Sequence, residues 1–382
     1  MPRPPGFSRA VEATRGAVYS PLVHVVEQIE GETYPFHVGD TWRDPVVGAH
    51  MQDLATDALP GLHRYTATDG TPELLEALRR RVSERTGLDL SRRRIHVTAG
   101  ATAGLGVVMA SLLDPDDEVL ILAPYWPLIE GIVRTYRGVP VPVPVEGAIS
   151  PPDFVERLDA VLTSRTAALY VSSPNNPTGR VLPAEVLKAL SDWATEKGLW
   201  IVSDEVYEEY VFEGEHTPML PLSPDNTITA YSFSKAFGMA GNRCGYLAGP
   251  EALLDEVRKV GTHTYYSAPT SAQHAALAAL EGDVDEWVAE SRRLYRTIGT
   301  EVALLLGVDP PDGGTFLFLD LRSKLDERGV APVLEECAEQ GILLAPGPSF
   351  GPYEGWVRLC FTAVAPDVTS RGARKLAEIL ER

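Results

Sequence analysis

Cysteine is scarce in this chain of 382 residues: there are three, Cys244, Cys337 and Cys360, odd in number and widely spaced. Such a set indicates neither a disulfide framework nor a zinc site. The eight histidines show no HExxH-type spacing, so metal catalysis is not expected. Positive charge is short as well: 34 lysines and arginines face 53 acidic residues, for a net charge of −19. A nucleic-acid partner needs a basic face, and this balance speaks against one. No apolar run approaches the ~18 residues that a membrane helix needs. The start, Met1-Pro-Arg-Pro-Pro-Gly, has no apolar stretch behind it, so no secretory signal is expected. The default is a cytoplasmic protein with no membrane partner.

What is present is ordinary for a soluble protein: a hydrophobic fraction of 44% and a charged fraction of 23%. The length suggests two domains of roughly 100 to 200 residues. Residues 1–45 read as an irregular N-terminal arm, rich in Gly, Pro and aromatics and joining the smaller domain. Pro72–Arg85 carries Leu74, Leu75, Leu78 and Val82 at helical spacing. Strand-like runs follow at Ile95–Thr98, Glu118–Ala123, Ala167–Ser173, Leu199–Ser203, Thr227–Ser232 and Cys244–Ala248. Helical segments lie between them, around Thr102–Leu113, Leu128–Tyr136, Ala184–Lys197 and Glu251–Val260. That alternation implies an α/β domain over 46–284, a mostly parallel sheet with helices on both faces. Alternate prolines in Val139–Val145 confine that run to an edge. Beyond it, Asp285–Leu306 reads as one long helix, Phe316–Leu321, Ile342–Ala345 and Trp356–Phe361 as short strands, and Val368–Leu380 as a last helix. This suggests a smaller α+β domain over 285–382.

Open α/β sheets bind ligands beyond the carboxyl ends of their strands. Gly100-Ala101-Thr102 stands at one such end and opens a helix, which suits an anion or serves as a plain N-cap. Tyr125-Trp126 stands at another, as a stacking aromatic or as core. Ser173-Pro-Asn-Asn-Pro-Thr-Gly179 fixes two amides between prolines, more than a turn requires. Asp204 ends a buried strand, where a carboxylate is costly unless it meets a cation or donor; Tyr207 follows it, and a helix cap is the alternative. Arg358, in an apolar strand, reads as a clamp for a carboxylate or as a structural ion pair.

The most telling stretch is Ser232-Phe-Ser-Lys235, with Arg243 beyond a Gly-spaced loop. Lysine is rare here, so one beside small hydroxyl residues at a strand end suggests use as an amine nucleophile, against the alternative of a solvated surface charge. In order, the chain offers a phosphate-type turn, an aromatic, a rigid Asn, Asp-x-x-Tyr, Ser-x-Ser-Lys and a late Arg. A planar phosphorylated aldehyde would use each one.

In these motifs the chain resembles the class I/II aminotransferases, pyridoxal-phosphate (PLP) enzymes of the aspartate-aminotransferase-like fold type I, from about Pro35 to the last helix. The resemblance implies that Lys235 forms an aldimine with PLP and later moves the substrate's α-proton. It implies that Asp204 partners the ring nitrogen, that Tyr207 and Asn176 donate to the ring's phenolic oxygen, and that Trp126 stacks on the ring. Gly100, Ala101, Thr102, Ser232 and Arg243 would cradle the phosphate. Arg358 would clamp the substrate α-carboxylate, with Gly39, Asn176 and Trp126 beside it. Tyr65 would reach the cofactor phosphate of a neighbouring subunit, implying a homodimer with shared active sites. The implied reaction moves the amino group of an L-amino acid to a 2-oxo acid, 2-oxoglutarate by family habit. A PLP-dependent lyase, cyclase or decarboxylase on the same fold is the alternative.

Two departures stand out from the family pattern. The segment after Gly39 reads Asp40-Thr-Trp-Arg-Asp-Pro45, and Asn242 replaces the usual aliphatic residue before Arg243. Trp42 and Arg43 are candidates for tuning the substrate side chain toward aromatic or acidic types, or else for packing the arm.

Overall fold

The computed structural model describes residues 6–14, 16, 22–55, 57, 59–148 and 150–381. Met1–Pro5, where no signal is expected, and part of the expected arm lie outside the described residues. Seven strands form one sheet: β1 (Ile95–Thr98), β2 (Glu118–Ala123), β3 (Val139–Pro144), β4 (Thr166–Ser172), β5 (Trp200–Asp204), β6 (Thr227–Ser232) and β7 (Gly245–Ala248). Their order is β1-β7-β6-β5-β4-β2-β3. The β3–β2–β4–β5–β6 pairings are parallel, and β7 alone runs antiparallel to both its neighbours. Its reversal has a physical cause. A parallel return needs a crossover, usually through a helix, whereas the chain from β6 to β7 makes a loop without an α-helix and turns straight back.

Strands β2 and β6 are buried along their whole length, as expected of a sheet covered on both faces. Helix Pro72–Thr86 buries Leu74, Leu75, Leu78 and Val82, the residues its periodicity marks. The edge strand β3 shows how its prolines are tolerated. Val139 and Val145 point their N–H groups at Asp117 and Ala123 of the neighbouring strand, so the intervening prolines fall on the outer side, where no donor is needed. The same prolines block addition of another strand.

Besides two four-residue turns of helix in the arm, Arg9–Glu12 and Val23–Val26, three longer helices were not marked by the sequence pattern: Pro151–Asp159, Thr270–Glu281 and Ala331–Glu339. Of these longer three, the second buries Ala272, Ala275, Ala276 and Ala279, small residues whose hydrophobic signal is weak. Its Gln273 is buried too: its Oε1 accepts from Thr71 N–H at 2.8 Å and its Nε2 donates to the Ala268 carbonyl at 3.0 Å.

The expected long helix is Val284–Leu306. Its first turns bury Val284 and Val288 in the core around helix Pro72–Thr86. Its later turns bury Tyr295, Ile298 and Val302 in a second core, under an antiparallel sheet ordered β8 (Phe316–Asp320), β10 (Trp356–Cys360), β9 (Ala345–Pro346). One helix thus couples two cores. The expected strand Ile342–Ala345 is a correction: only Ala345–Pro346 pairs with β10, while Ile342 bridges Tyr34 of the N-terminal arm. Gly347 and Pro348 end the run, and the arm takes the backbone groups of Gly341 and Leu343 instead. Among the described residues no helix is long and apolar enough to cross a membrane.

Leu376, fully buried in the last helix (Pro366–Leu380), and Leu304, 70% exposed, test this packing. Leu376→Ala is expected to lower unfolding free energy by about 2–5 kcal/mol in urea titration, and Leu304→Ala by no more than about 0.5 kcal/mol.

Candidate active site

Beyond the carboxyl ends of β1, β4, β5 and β6 lies a cavity of about 450 Å³, closed on its other side by the arm, Phe350 and Arg358. It is lined by Gly39, Ala101, Thr102, Trp126, Asn176, Asp204, Tyr207, Ser232, Lys235, Arg243 and Arg358, which brings together nearly every candidate residue.

Lys235 follows β6 in a loop whose bends have local causes. Ser232 Oγ accepts from the Ser234 N–H at 3.0 Å, which folds the chain back and leaves the Ser232 hydroxyl proton free to donate. The Lys235 ammonium donates to the Gly39 carbonyl and lies 6.0 Å from the centre of the Tyr207 ring. Burial depresses its pKa from the usual lysine value, with Arg358 and Arg243 adding to the effect and Asp40 opposing it. This is a half-buried, cation-flanked amine, not a solvated charge.

Arg243 ends the loop in the left-handed region, at φ 57°. Its guanidinium donates to the Ala240 carbonyl at 2.8 Å and lies over Gly100, where a Cβ would come within 2.5 Å of Nη2. Gly245 is equally constrained, because a Cβ there would meet Ala101 N at 2.7 Å and the Tyr231 carbonyl at 2.8 Å. The glycines at both ends therefore let the arginine loop press against the N-terminus of helix Ala101–Leu112. Free N–H groups, Thr102, Ser232 and Arg243 make one concave donor set suited to a phosphate.

Asp204 ends β5, and no helix begins after it, which removes the cap reading. Its Oδ2 accepts from the Tyr170 hydroxyl at 2.5 Å. Burial raises its pKa from 3.8 to about 6, against the lowering effect of the Tyr170 and Val206 hydrogen bonds and of Lys235. The carboxylate is thus costly in place and would be relieved by a cationic partner. The adjacent Glu205 points the opposite way, as strand alternation requires, and is held by Ser203, Met219 N–H and His216. Tyr207 is buried, set edge-on to Phe316 at 5.6 Å, and bonded to Thr315; burial pushes its hydroxyl well above the tyrosine range.

Arg358 lies on β10, with no acid against it among the described residues. Its Nη1 donates to Asn176 Oδ1 at 3.0 Å and its Nη2 to the His37 carbonyl at 2.5 Å. The guanidinium lies between Phe316 and Phe350, 4.4 and 5.0 Å from the ring centres, and its buried Nε has no partner. No carboxylate among the described residues pairs with it, and burial is the leading cause of its lowered pKa. An arginine built for a structural ion pair has an acid beside it, and among the described residues Arg358 has none.

The pairs flagged in the sequence divide. Asn176 faces the cavity, while Asn175 binds the Pro124 carbonyl and caps Thr178. Trp126 faces it too, while Tyr125 is buried and bonded to Glu130. Tyr65 is not brought in: it is 88% exposed and packs edge-on against Tyr266. Trp42 and Arg43 do not line the cavity either. Arg43 is tied to the long helix through Glu290, Ser291 and the Trp287 ring, and the Trp42 N–H donates to the Thr362 carbonyl, so the arm-packing alternative describes them. Asn242 contacts the Met51 sulfur at 3.4 Å. Two residues escaped the sequence reading. Tyr170 lies in an apolar run that gives no hint of its hydroxyl's partner, and His37, two residues before Gly39, lies in a stretch with no motif to mark it.

The family model for class I and II aminotransferases matches residues 33–376. The aspartate/prephenate aminotransferase of Thermus thermophilus is 35% identical, with 87% of this chain and 88% of that protein covered. An arginine–pyruvate transaminase of Pseudomonas aeruginosa is 34% identical, with 87% and 86% covered. A single mutant of the Thermus thermophilus aspartate aminotransferase superposes with a TM-score of 0.88 at 31% identity, over 98% of this chain and 100% of that one. With its seven-stranded sheet, its small antiparallel sheet and this site, the chain belongs to the class I and II aminotransferases.

Proposed function

We propose that the cavity holds pyridoxal phosphate and transfers the amino group of an L-amino acid to a 2-oxo acid, with Lys235 as the amine that both anchors the cofactor and moves the proton. The observation that carries this reading is the convergence of four groups on one cavity: a pKa-lowered lysine, an acid short of a cation, an anion cradle and an arginine without a carboxylate. The donor set fits the cofactor at each edge. Ala101, Thr102, Ser232 and Arg243, with Gly100 leaving room for the guanidinium, suit its phosphate. Asp204 suits its ring nitrogen, Tyr207 and Asn176 its phenolic oxygen, and Trp126 its ring face. Bound there, the cofactor supplies an electrophilic carbonyl carbon and an electron-withdrawing ring.

The chain's own residues do the rest. Ionised Asp204 keeps the proton on the ring nitrogen. Tyr170 holds Asp204 Oδ2 in place. Arg358 takes the substrate's α-carboxylate in a bidentate grip, and its contact with Asn176 sets the angle. The Lys235 Nζ would accept the substrate's α-proton and hold it at the cavity for return. The arm carbonyl of Gly39 restrains that amine between transfers. The resemblance implies 2-oxoglutarate as acceptor, and the arginine–pyruvate relative adds pyruvate to the acceptors worth comparing. Tyr65, held out on the surface beside Tyr266, fits a role in the neighbouring site of a homodimer. The division into an arm (1–45), a cofactor-binding domain (46–284) and a small domain (285–382) fits a long helix shared by two cores.

Three outcomes test this. Lys235→Ala is expected to abolish the Lys-linked visible absorbance of PLP-loaded protein and to cut transamination by at least ~10²–10⁴-fold; an unchanged spectrum and rate contradict the assignment. Arg358→Ala should raise KM for the amino acid about 100-fold or more in steady-state assays, and Arg358→Lys should not restore it, because a single ammonium lacks the fork. The third concerns pH. The folded Asp204 carboxyl holds its proton more tightly than the unfolded one, so its contribution to stability is full below about pH 3.8 and is lost as pH rises through about 6. In urea titrations of cofactor-free protein, wild type should therefore lose about 2–3 kcal/mol relative to Asp204→Asn across that window.

A further inference from the structure

Tyr170 sits in the middle of β4, opposite Val202 of β5, and packs in one apolar core with Leu105, Ala168, Val202 and Ala230. It is fully buried within this chain, so its contacts do not depend on a neighbouring subunit. For packing alone a phenylalanine would serve, and a buried tyrosine hydroxyl is kept where it has a partner. That partner is Asp204, which stands on the same face of β5 as Val202 and accepts through Oδ2 at 2.5 Å. The length is that of a hydroxyl bonded to an ionised oxygen, the strong class of hydrogen bond. Ser172, which lines the cavity and pairs with Asp204 in the sheet, bonds to the tyrosine in turn.

Three parts of the chain face this carboxylate. Strand β4 brings the Tyr170 donor. The turn after β5 brings the Val206 N–H, 3.4 Å from Oδ1, the charge of Glu205 and the Tyr207 hydroxyl. The loop after β6 brings the Lys235 ammonium. Burial is the largest influence on Asp204 and favours the protonated acid, with Glu205 adding to it; Tyr170 is the largest influence against, ahead of Val206 and Lys235. The tyrosine itself stays protonated, because burial and the adjacent carboxylate hold its hydroxyl well above the usual tyrosine range.

We propose that Tyr170 is a positioning residue for the reaction: by donating to Asp204 Oδ2 it makes that carboxylate the weaker base, so that the proton shared with the cofactor's ring nitrogen stays on the nitrogen. This rests on the reading of Asp204 as the partner of that nitrogen. A carboxylate taken out of water without a donor competes for the proton, and the ring then loses the positive charge that draws electrons from the substrate. One strong donor on Oδ2 tips the balance back, and Oδ1, whose contact with Val206 is long, keeps acceptor capacity to spare.

Tyr170→Phe keeps the packing and removes the donor. In urea titrations of cofactor-free protein, each form is compared with its own Asp204→Asn version between roughly pH 4 and 9. In wild type the difference should level off above about pH 6, where the folded Asp204 has lost its proton. Without the donor the carboxyl holds its proton to higher pH, so in Tyr170→Phe the difference should go on falling for about one further pH unit. PLP-loaded Tyr170→Phe should lose about tenfold in kcat, with KM for the amino acid within about twofold of wild type. A hydroxyl that only packs would lower stability equally at every pH, and parallel curves would overturn the proposal, as would an unchanged kcat. If Tyr170→Phe does not fold, proton NMR of the wild type reads the bond directly. A far-downfield hydroxyl proton that moves upfield in Asp204→Asn is expected, and its absence from wild type would overturn the proposal. Failure of wild type to bind PLP would instead remove the underlying reading of the site, while the cofactor-free titrations still report on the hydrogen bond.

Discussion

One buried guanidinium sets the terms for the rest of the site. Arg358 lies between two phenylalanine rings with a side-chain amide, a backbone carbonyl and an unpartnered Nε around it, and no acid. A charge held this way is unfavourable in the empty protein, and it persists because three parts of the chain build the pocket at once. The small sheet supplies the strand and the Phe316 ring, the loop after β4 supplies Asn176, and the arm supplies His37. The arm is itself fastened to this region by Tyr34 and Phe36, whose backbones bond to Gly341, Leu343 and Cys360. Binding an anion at Arg358 therefore also rewards the closed arrangement of arm, sheet and lysine loop.

The second constraint is steric. Gly39 lies where a Cβ would meet the Phe316 ring at 3.0 Å, and its carbonyl is the acceptor for Lys235. Gly100 and Gly245 remove the atoms that would push Arg243 off the helix N-terminus. Three glycines thus fix the distances among Lys235, Arg243 and Arg358. The spacing Lys-x₇-Arg-x-Gly is in this sense a packing requirement as much as a chemical one, since Arg243 must take a left-handed backbone to turn its guanidinium back over Gly100.

Much of this was legible in the chain alone, for identifiable reasons. The strands of the large sheet are short apolar runs that end in polar residues, so their existence and their functional ends were readable together. The direction of β7 was not, because an isolated run such as Gly245–Ala248 carries no record of which way its neighbours point. The Thr270–Glu281 helix escaped because alanine buries well yet marks no stripe, and the Ile342–Ala345 run proved to serve the arm rather than a ladder. At the site, motif residues were found because their chemistry is unusual at strand ends. Tyr170 and His37 were not, since a hydroxyl inside an apolar strand and an imidazole in an irregular arm acquire meaning only from what lies across the cavity. Trp42 and Arg43 show the reverse case: conspicuous in sequence and open there to either substrate tuning or arm packing, they lie away from the cavity, with Arg43 in the seam between the arm and the long helix.

The charge layout explains why a strongly acidic protein handles anionic substrates. Its positive groups at the cavity are three, Lys235, Arg243 and Arg358, of which the two arginines are the ones proposed to meet negative groups of cofactor and substrate, while the chain as a whole carries a net charge of −19. Selectivity then falls to whatever borders the clamp. The most direct measurement of the central claim is a single-turnover reaction of PLP-loaded protein with a reactive L-amino acid, counting products per site. The account predicts one equivalent of 2-oxo acid, one of pyridoxamine phosphate, and no ammonia. Release of ammonia or carbon dioxide with the cofactor returned unchanged would contradict it.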